Sequence, residues 1–280
     1  MSSTAYSLAK PSPRADRLGY CLRVIRTAAA MEFKLKYAGS AVGYVWSLAR
    51  PLAYFAVLWV VFERFLRIPG PAVENYPLYL LTGLVLYLFF IDAISMTMMS
   101  IVARGALLRR MALPPLLIPL SVSLTAALTF CVNAVAVVVL LAVHRVRPEL
   151  DWLLLIPLVG ELLAFILGIG LIASALYVRF RDVAQIWELA SQLLIFATPI
   201  MYPVTLLPPR VQEVVFLSPL VQVIQDVRLL IVGLNAETET LAGVLGSDAW
   251  RLVPVSIALA TLVVGLVYFR RDAPRLAERV

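Results

Sequence analysis

Few side chains in this chain are equipped for bond-making chemistry. His144 is the single histidine, and the lysines are Lys10, Lys34 and Lys36. A nucleotide-binding loop needs Gly-x4-Gly-Lys-Ser/Thr, so that backbone N–H groups cradle phosphate and the lysine neutralises it. No lysine here follows a glycine, which excludes ATP hydrolysis by that route. A metalloprotease helix needs two histidines four residues apart. A serine hydrolase would have to use His144 without a Gly-x-Ser-x-Gly turn. Cys21 lies in a polar stretch and Cys131 inside an apolar run; neither has a metal-ligand neighbour, and a disulfide between them is not expected. No catalytic residue, metal site or cofactor is expected in the chain itself.

The other informative side chains are charges placed where charge is costly. Asp92, Glu161 and Glu188 lie within apolar runs, and Arg50 near the start of one. A charge at mid-membrane costs about 2.5–3.5 kcal/mol on insertion scales, so such groups face a bundle interior or a wet pathway. Arg50 is close enough to a span end to snorkel to headgroups. Gln185, Glu188 and Gln192 share one helical face and make a polar stripe at one mouth of a span. Asp92 and Glu161 could titrate in a proton-coupled carrier, but no histidine or lysine accompanies them in the spans to form a relay. Aromatic residues crowd the same runs: Tyr54, Phe55, Trp59 and Phe62, then Tyr87, Phe89 and Phe90, then Trp187, Phe196 and Tyr202. They are either lipid-facing bulk and interfacial belts or faces on which sugar rings stack.

The elements that carry these residues follow from composition. The 280 residues are 62% hydrophobic and 15% charged, with a mean hydropathy of +0.92. Soluble domains carry about 45–50% apolar and about 25% charged residues. The chain therefore reads as an all-α polytopic membrane protein; long solid apolar runs argue against a β-barrel. Six spans are expected, at residues 42–65, 77–102, 116–143, 152–178, 183–201 and 252–269, each near the roughly 20 residues a helix needs to cross. The net charge of +7 flanks these runs, so the positive-inside rule accounts for it without nucleic acid. Seventeen of the 24 Lys and Arg residues fall on one side, which places both termini inside. The domains expected are a cytoplasmic segment 1–41, a membrane domain 42–269 and a cytoplasmic tail 270–280. The first 40 residues hold no solid apolar stretch, so no cleavable signal peptide is expected.

Two segments do not fit a plain bundle. Over residues 16–36, Leu18, Leu22, Ile25, Ala29 and Phe33 share a helical face while Arg23, Arg26 and Lys34 lie elsewhere. This is an amphipathic helix, lying in the membrane interface among anionic lipid or packed on cytosolic protein. Residues 203–248 contain two apolar helical segments, 208–217 and 219–232. Ser218 before Pro219 reads as an N-cap followed by N1. The longer segment spans about 21 Å at 1.5 Å per residue, short of the roughly 30 Å core. The pair is re-entrant or lies at the outer surface.

Lys36, Tyr37, Ala38, Gly39 and Ser40, followed by Gly43, Trp46 and Pro51, resemble the start of the permease subunit of type-2 ABC exporters for polysaccharides, the family of O-antigen, teichoic-acid and galactan exporters. The likeness continues through Gly83, Phe89-Phe90, Arg109-Arg110, Pro114, Phe180-Arg181-Asp182, Thr198-Pro199-Ile200-Met201-Tyr202 and Leu207-Pro208. Ser218-Pro219 stands where the family often has Asn-Pro, and Arg50 before Pro51 is an unusual charge.

The resemblance implies a homodimer in the bacterial inner membrane, paired with two copies of a separate ATPase that binds ATP and Mg. The substrate implied is a glycan on an undecaprenyl-diphosphate carrier. Residues 16–36 would be the interface helix. Residues 104–115, with Arg104, Arg109, Arg110 and Pro114, would be the coupling loop. Residues 203–232, with Pro208, Ser218 and Pro219, would be external gate helices. Lys34, Lys36, Arg179 and Arg181 become candidates for the lipid diphosphate, with Glu188 at the inner mouth; Arg181 is equally placed to pair with Asp182. Tyr54, Trp59, Phe62, Tyr87, Phe89, Phe90, Phe196 and Tyr202 are the channel aromatics. A drug or small-lipid exporter of the same superfamily is the alternative. An intramembrane enzyme lacks its constellation here, and a secondary transporter would predict inverted repeats that the sequence does not display.

Overall fold

The computed structural model describes residues 14–37, 43–67, 75–105, 114–233 and 240–279. Every regular element among them is helical. We number the α-helices α1 (Arg14–Tyr37), α2 (Gly43–Trp59), α3 (Tyr76–Ala103), α4 (Leu117–Val143), α5 (Leu155–Arg179), α6 (Val183–Ala197), α7 (Pro209–Phe216), α8 (Pro219–Val232), α9 (Leu241–Leu245) and α10 (Leu252–Arg279). Four helical segments are long and apolar enough to cross a membrane: Tyr76–Ala103, Leu117–Val143, Leu150–Arg179 and Ala249–Ala273. The protein is a multi-pass membrane protein.

The residues of the other two expected spans form shorter or less regular helices that are not among these four. Of the first, expected over 42–65, residues 43–65 form α2 and a π-helical turn, Val60–Phe65. Pro51 lies inside α2 without ending it. The fifth, expected over 183–201, stops at Ala197. Thr198 turns extended (φ −90°, ψ 130°) because the following Pro199 disfavours helical backbone before it. The 15 residues of α6 reach about 22 Å. Beyond it, α7 and α8 meet at 98°. Ser218 takes the extended N-cap conformation, but its side chain makes no capping bond; the start is set by Pro219 at N1, which needs no N–H partner. The last helix continues past the expected 269 to Arg279.

The core centres on α3. Apart from Asp92, this helix is largely apolar around its circumference and buried over most of it, as expected for the middle of a bundle. Leu78, Leu80, Leu84 and Ile94 are fully buried, and they pack with Val137 and Leu141 of α4, Leu162 and Ile166 of α5, and Leu220 and Ile224 of α8. The closest helix contact is between α5 and α10. A Cβ on Gly168 would stand 2.5 Å from the Thr261 carbonyl carbon, and one on Gly265 would stand 2.5 Å from the Gly168 oxygen. Two backbones touch there, the packing that small residues allow between membrane helices.

Helix α1 lies against α4 and the end of α3. Ala29 is buried there, and the Thr125 hydroxyl donates to its carbonyl at 3.4 Å. Arg104 pairs with Glu32 at 2.6 Å. Leu22, Met31 and Leu35 remain exposed. Glu32→Arg and Arg104→Glu are each expected to raise the rate of limited proteolysis within α1 roughly threefold, as loss of a partly exposed pair costs under about 1 kcal/mol. The double exchange should return the rate close to wild type. If it does not, another contact holds α1 in place.

Candidate transport groove

A groove of about 440 Å³ opens between α2, α3 and α6. Its aromatic wall is made by Tyr54 and Phe62 from the first segment, Tyr87 from α3 and Phe196 from α6. Its polar wall is made by Arg50, Glu188, Ser191 and Gln192. Periodicity explains the second set: 188, 191, 192 and 195 lie on one stripe of a helix. The stripe expected at 185, 188 and 192 thus faces the groove through Glu188 and Gln192.

Two bonds between α3 and α6 hold the wall in place. The Tyr87 hydroxyl donates to the Ser191 carbonyl. Trp187 donates through Nε1 to the Ser95 hydroxyl at 2.8 Å. With Trp187 turned inward, Ile186, Leu189, Leu193 and Phe196 are left exposed. On α2, Trp46, Tyr54 and Val57 are likewise exposed. These apolar faces flank the groove.

Arg50 does not extend away from the bundle as snorkelling would require. Its Nη1 donates to both oxygens of Asp92, at 2.9 and 3.1 Å. The two side chains keep 52% and 46% of their exposure. The pairing of α2 with α3 therefore accounts for two of the four charges in apolar runs. Asp92 also borders a second cavity of about 350 Å³, lined by Lys36, Phe89, Thr129 and Asn133 among others. Lys36 donates to the Thr129 hydroxyl at 3.4 Å there.

The structure brings together only part of the expected aromatic set. Tyr54, Phe62, Tyr87 and Phe196 meet in the groove. Phe89 and Phe90 are buried: Phe89 stacks on Phe130 at 4.5 Å, and Phe90 on Phe165 at 5.8 Å. Trp59 stacks on Phe55 at 6.3 Å and packs against the core. Tyr202 donates its hydroxyl to the Phe196 carbonyl at 2.8 Å, closing the end of α6. Glu161 lies partly buried on α5, and its Oε1 has no hydrogen-bond partner among the described residues.

The basic candidates are dispersed. Lys34 lies with Arg23 and Arg26 along the outer side of α1. Arg179 stands over the Phe180 ring at 5.2 Å. Arg181 stands over Tyr177 at 5.0 Å, and among the described ion pairs none joins it to Asp182. Arg104 is committed to Glu32. Arg109 and Arg110 lie outside the described residues, as does most of the stretch 104–115. Pro114 precedes α4, where its carbonyl accepts the Leu117 N–H at 3.0 Å. On the opposite side, the Pro208 carbonyl accepts from Val211 at 2.8 Å and so starts α7, while Pro219 is buried at the start of α8.

One organising residue was counted from sequence merely as a flanking charge. Arg228 on α8 is fully buried. It donates to the carbonyls of Tyr79 (3.1 Å), Pro199 (2.8 Å) and Ile200 (2.8 Å), and its guanidinium lies 3.5 Å from the centre of the Tyr79 ring. Gly83 makes room for it, since a Cβ there would fall 2.2 Å from Nη2. Arg228 thereby ties the break after α6 to both α3 and α8. Its neighbour Asp226 accepts from Gln222 at 2.6 Å and pairs with Arg251 at 3.5 Å. A partner set of backbone carbonyls leaves no mark in the sequence, so only the arginine inside an apolar run (Ile224, Val227, Leu229, Leu230) could have drawn attention.

Residues 23–231 match the model of the ABC-2 type transporter membrane family. The chain belongs to that family. This ABC-2 chain is similar to the O-antigen export system permease protein RfbA of Klebsiella pneumoniae, with 28% identity over 263 residues that cover 93% of this chain and 96% of the relative. It is similar to RfbA of Myxococcus xanthus, at 28% identity over 62% of this chain and 66% of the relative. It is also similar to the polysialic acid transport protein KpsM of Escherichia coli, at 21% identity over 85% of this chain and 89% of the relative. In this ABC-2 chain the family match spans α2 to α6 and the bent pair, so it includes every wall of the groove.

Proposed function

We propose that this chain is the transmembrane subunit of an ATP-driven exporter that moves a lipid-linked polysaccharide across the bacterial inner membrane. The observation that carries the reading is similarity along nearly the whole chain to proteins named as O-antigen export permeases. The groove agrees with it. Sugar rings present apolar C–H faces and polar hydroxyl edges, and the groove offers tyrosine and phenylalanine rings beside Ser191, Gln192 and Glu188.

Two copies form the conduit, with the exposed apolar faces of α2 and α6 against the second copy. Six spans place both termini in the cytoplasm, with α2 and α6 as the first and fifth. Two ATPase subunits bind ATP and Mg and act through residues 104–115. Helix α1 lies at the inner interface, and either Arg179 and Arg181 or Lys34 and Lys36 receive the carrier diphosphate by charge-assisted bonds. The pair α7 and α8 forms the external gate.

Copurification of the tagged chain from native membrane, with mass spectrometry of what accompanies it, tests this. An ATPase in equal amount together with a lipid-linked saccharide is the expected result. A stable chain without an ATPase would overturn it, and a small amphiphile in place of the glycan would favour a drug or small-lipid exporter. Charge reversal of Arg109 and Arg110 to Glu is expected to lower glycan export per ATP hydrolysed by at least about tenfold, because like charges at a contact disfavour docking. Unchanged coupling would remove residues 104–115 as the contact.

A further inference from the structure

The charges in the groove bear on which glycans can pass. Arg50 is the one cation among the described residues that line it, and Asp92 neutralises it at 2.9 Å. Glu188 lines the same groove, is exposed, and has no ion-pair partner among the described residues. Its backbone carbonyl accepts the Ser191 hydroxyl, and no described ion pair engages its carboxylate. Lys36 lies beyond Asp92, in the second cavity, donating to Thr129. Among the described residues, the groove wall therefore presents Arg50, neutralised by Asp92 from outside the lining, and one carboxylate without an ion-pair partner, Glu188.

A carboxylate facing the groove repels a passing chain that carries charge of the same sign. An uncharged saccharide meets no such barrier. Its hydroxyls can donate to the Glu188 carboxylate, which only accepts, and can accept from Arg50 and Gln192. A polyanionic glycan would need an uncommitted cation at each pass, and Arg50 could serve only by leaving Asp92.

We propose that Glu188, beside the neutralised Arg50–Asp92 pair, makes this groove selective for an uncharged glycan over a polyanionic one. This rests on the polysaccharide-export reading and adds the substrate class to it. Under a two-fold arrangement the second copy supplies a second Glu188, so the negative charge in the conduit doubles.

The test uses the full chain with its ATPase in cells that lack their own exporter. The cells build one of two undecaprenyl-diphosphate-linked glycans: one made of neutral hexoses, the other with a hexuronic acid in every repeat. Surface glycan is divided by total lipid-linked glycan, and the neutral-to-acidic ratio is compared between variants, so that a general loss of transport cancels. The wild-type ratio is expected to favour the neutral glycan by about threefold or more. Glu188→Gln should reduce that preference, and Glu188→Lys should reduce it further. Copurification of the ATPase with each variant confirms assembly. Equal export of both glycans by wild type, or a ratio unmoved by both substitutions, overturns the selectivity while leaving the export reading intact. If wild type exports neither glycan, the export reading itself falls and the selectivity falls with it.

Discussion

Gly168→Val is expected to abolish the monodisperse, folded protein in detergent, with a loss of at least about tenfold in yield. Overpacking a core costs about 1–3 kcal/mol when side chains can shift. Here they cannot. The atoms a Cβ would meet at Gly168 are the Thr261 carbonyl carbon at 2.5 Å, and the Leu262 nitrogen and Thr261 oxygen at 2.6 Å. All are backbone, so α5 and α10 must separate as rigid helices, which opens voids along the whole crossing. Gly160 is the control. It lies on the same helix with nothing within 4 Å of its Cβ position, so Gly160→Ala should leave yield unchanged and raise stability by about 0.5–1 kcal/mol through helix propensity. Size-exclusion profiles of the two variants decide the matter, and a well-behaved Gly168→Val peak would show that the two backbones do not touch.

Arg228→Leu is the second large effect. The Pro199 and Ile200 carbonyls lie in the irregular stretch after α6, where no helical N–H can replace the guanidinium. Hydrogen bonds to charged groups contribute about 1.5–3 kcal/mol each, and an orphaned buried carbonyl costs a similar amount. A total loss of about 3–5 kcal/mol is expected for the variant, which lowers the melting temperature by about 10 °C. Arg228→Lys should recover only part of it. An ammonium has three donors, but it lacks the planar fork that serves three carbonyls at once. Gly83→Ala should be destabilising by itself, because its methyl group displaces Nη2, and Gly83→Ala with Arg228→Leu should cost less than the two substitutions summed. Thermal scans of the four proteins test this; additive losses would mean that Gly83 and Arg228 are independent.

Much of this architecture was legible in the chain. The apolar runs marked α3, α4, α5 and α10 because solvation in lipid leaves a plain compositional trace over about 20 residues. Ser218-Pro219 marked the start of α8, since proline acts locally on its own and the preceding residue, whereas Pro199, inside the span expected over 183–201, ended α6 at Ala197. The polar stripe of Glu188 and Gln192 followed from helical periodicity. The family resemblance, read from short motifs in order, agrees with the match over residues 23–231.

Other features depend on which helices stand side by side. Phe89, Phe90 and Phe196 are alike as residues, yet Phe89 and Phe90 are buried between helices and Phe196 borders the groove. Nothing in a helix that is apolar all round says which side meets a neighbour. Arg50 found Asp92, 42 positions away, and Arg228 found carbonyls 28, 29 and 149 positions away. Backbone acceptors are present at every residue, so no pattern of side chains announces that three of them converge. The lipid-facing and interior stretches, the proline breaks and the helical stripes are local consequences of solvation and backbone geometry. The charge pairing, the seat of Arg228 and the groove arise from long-range packing, which assigns a partner to each face only after the helices have formed.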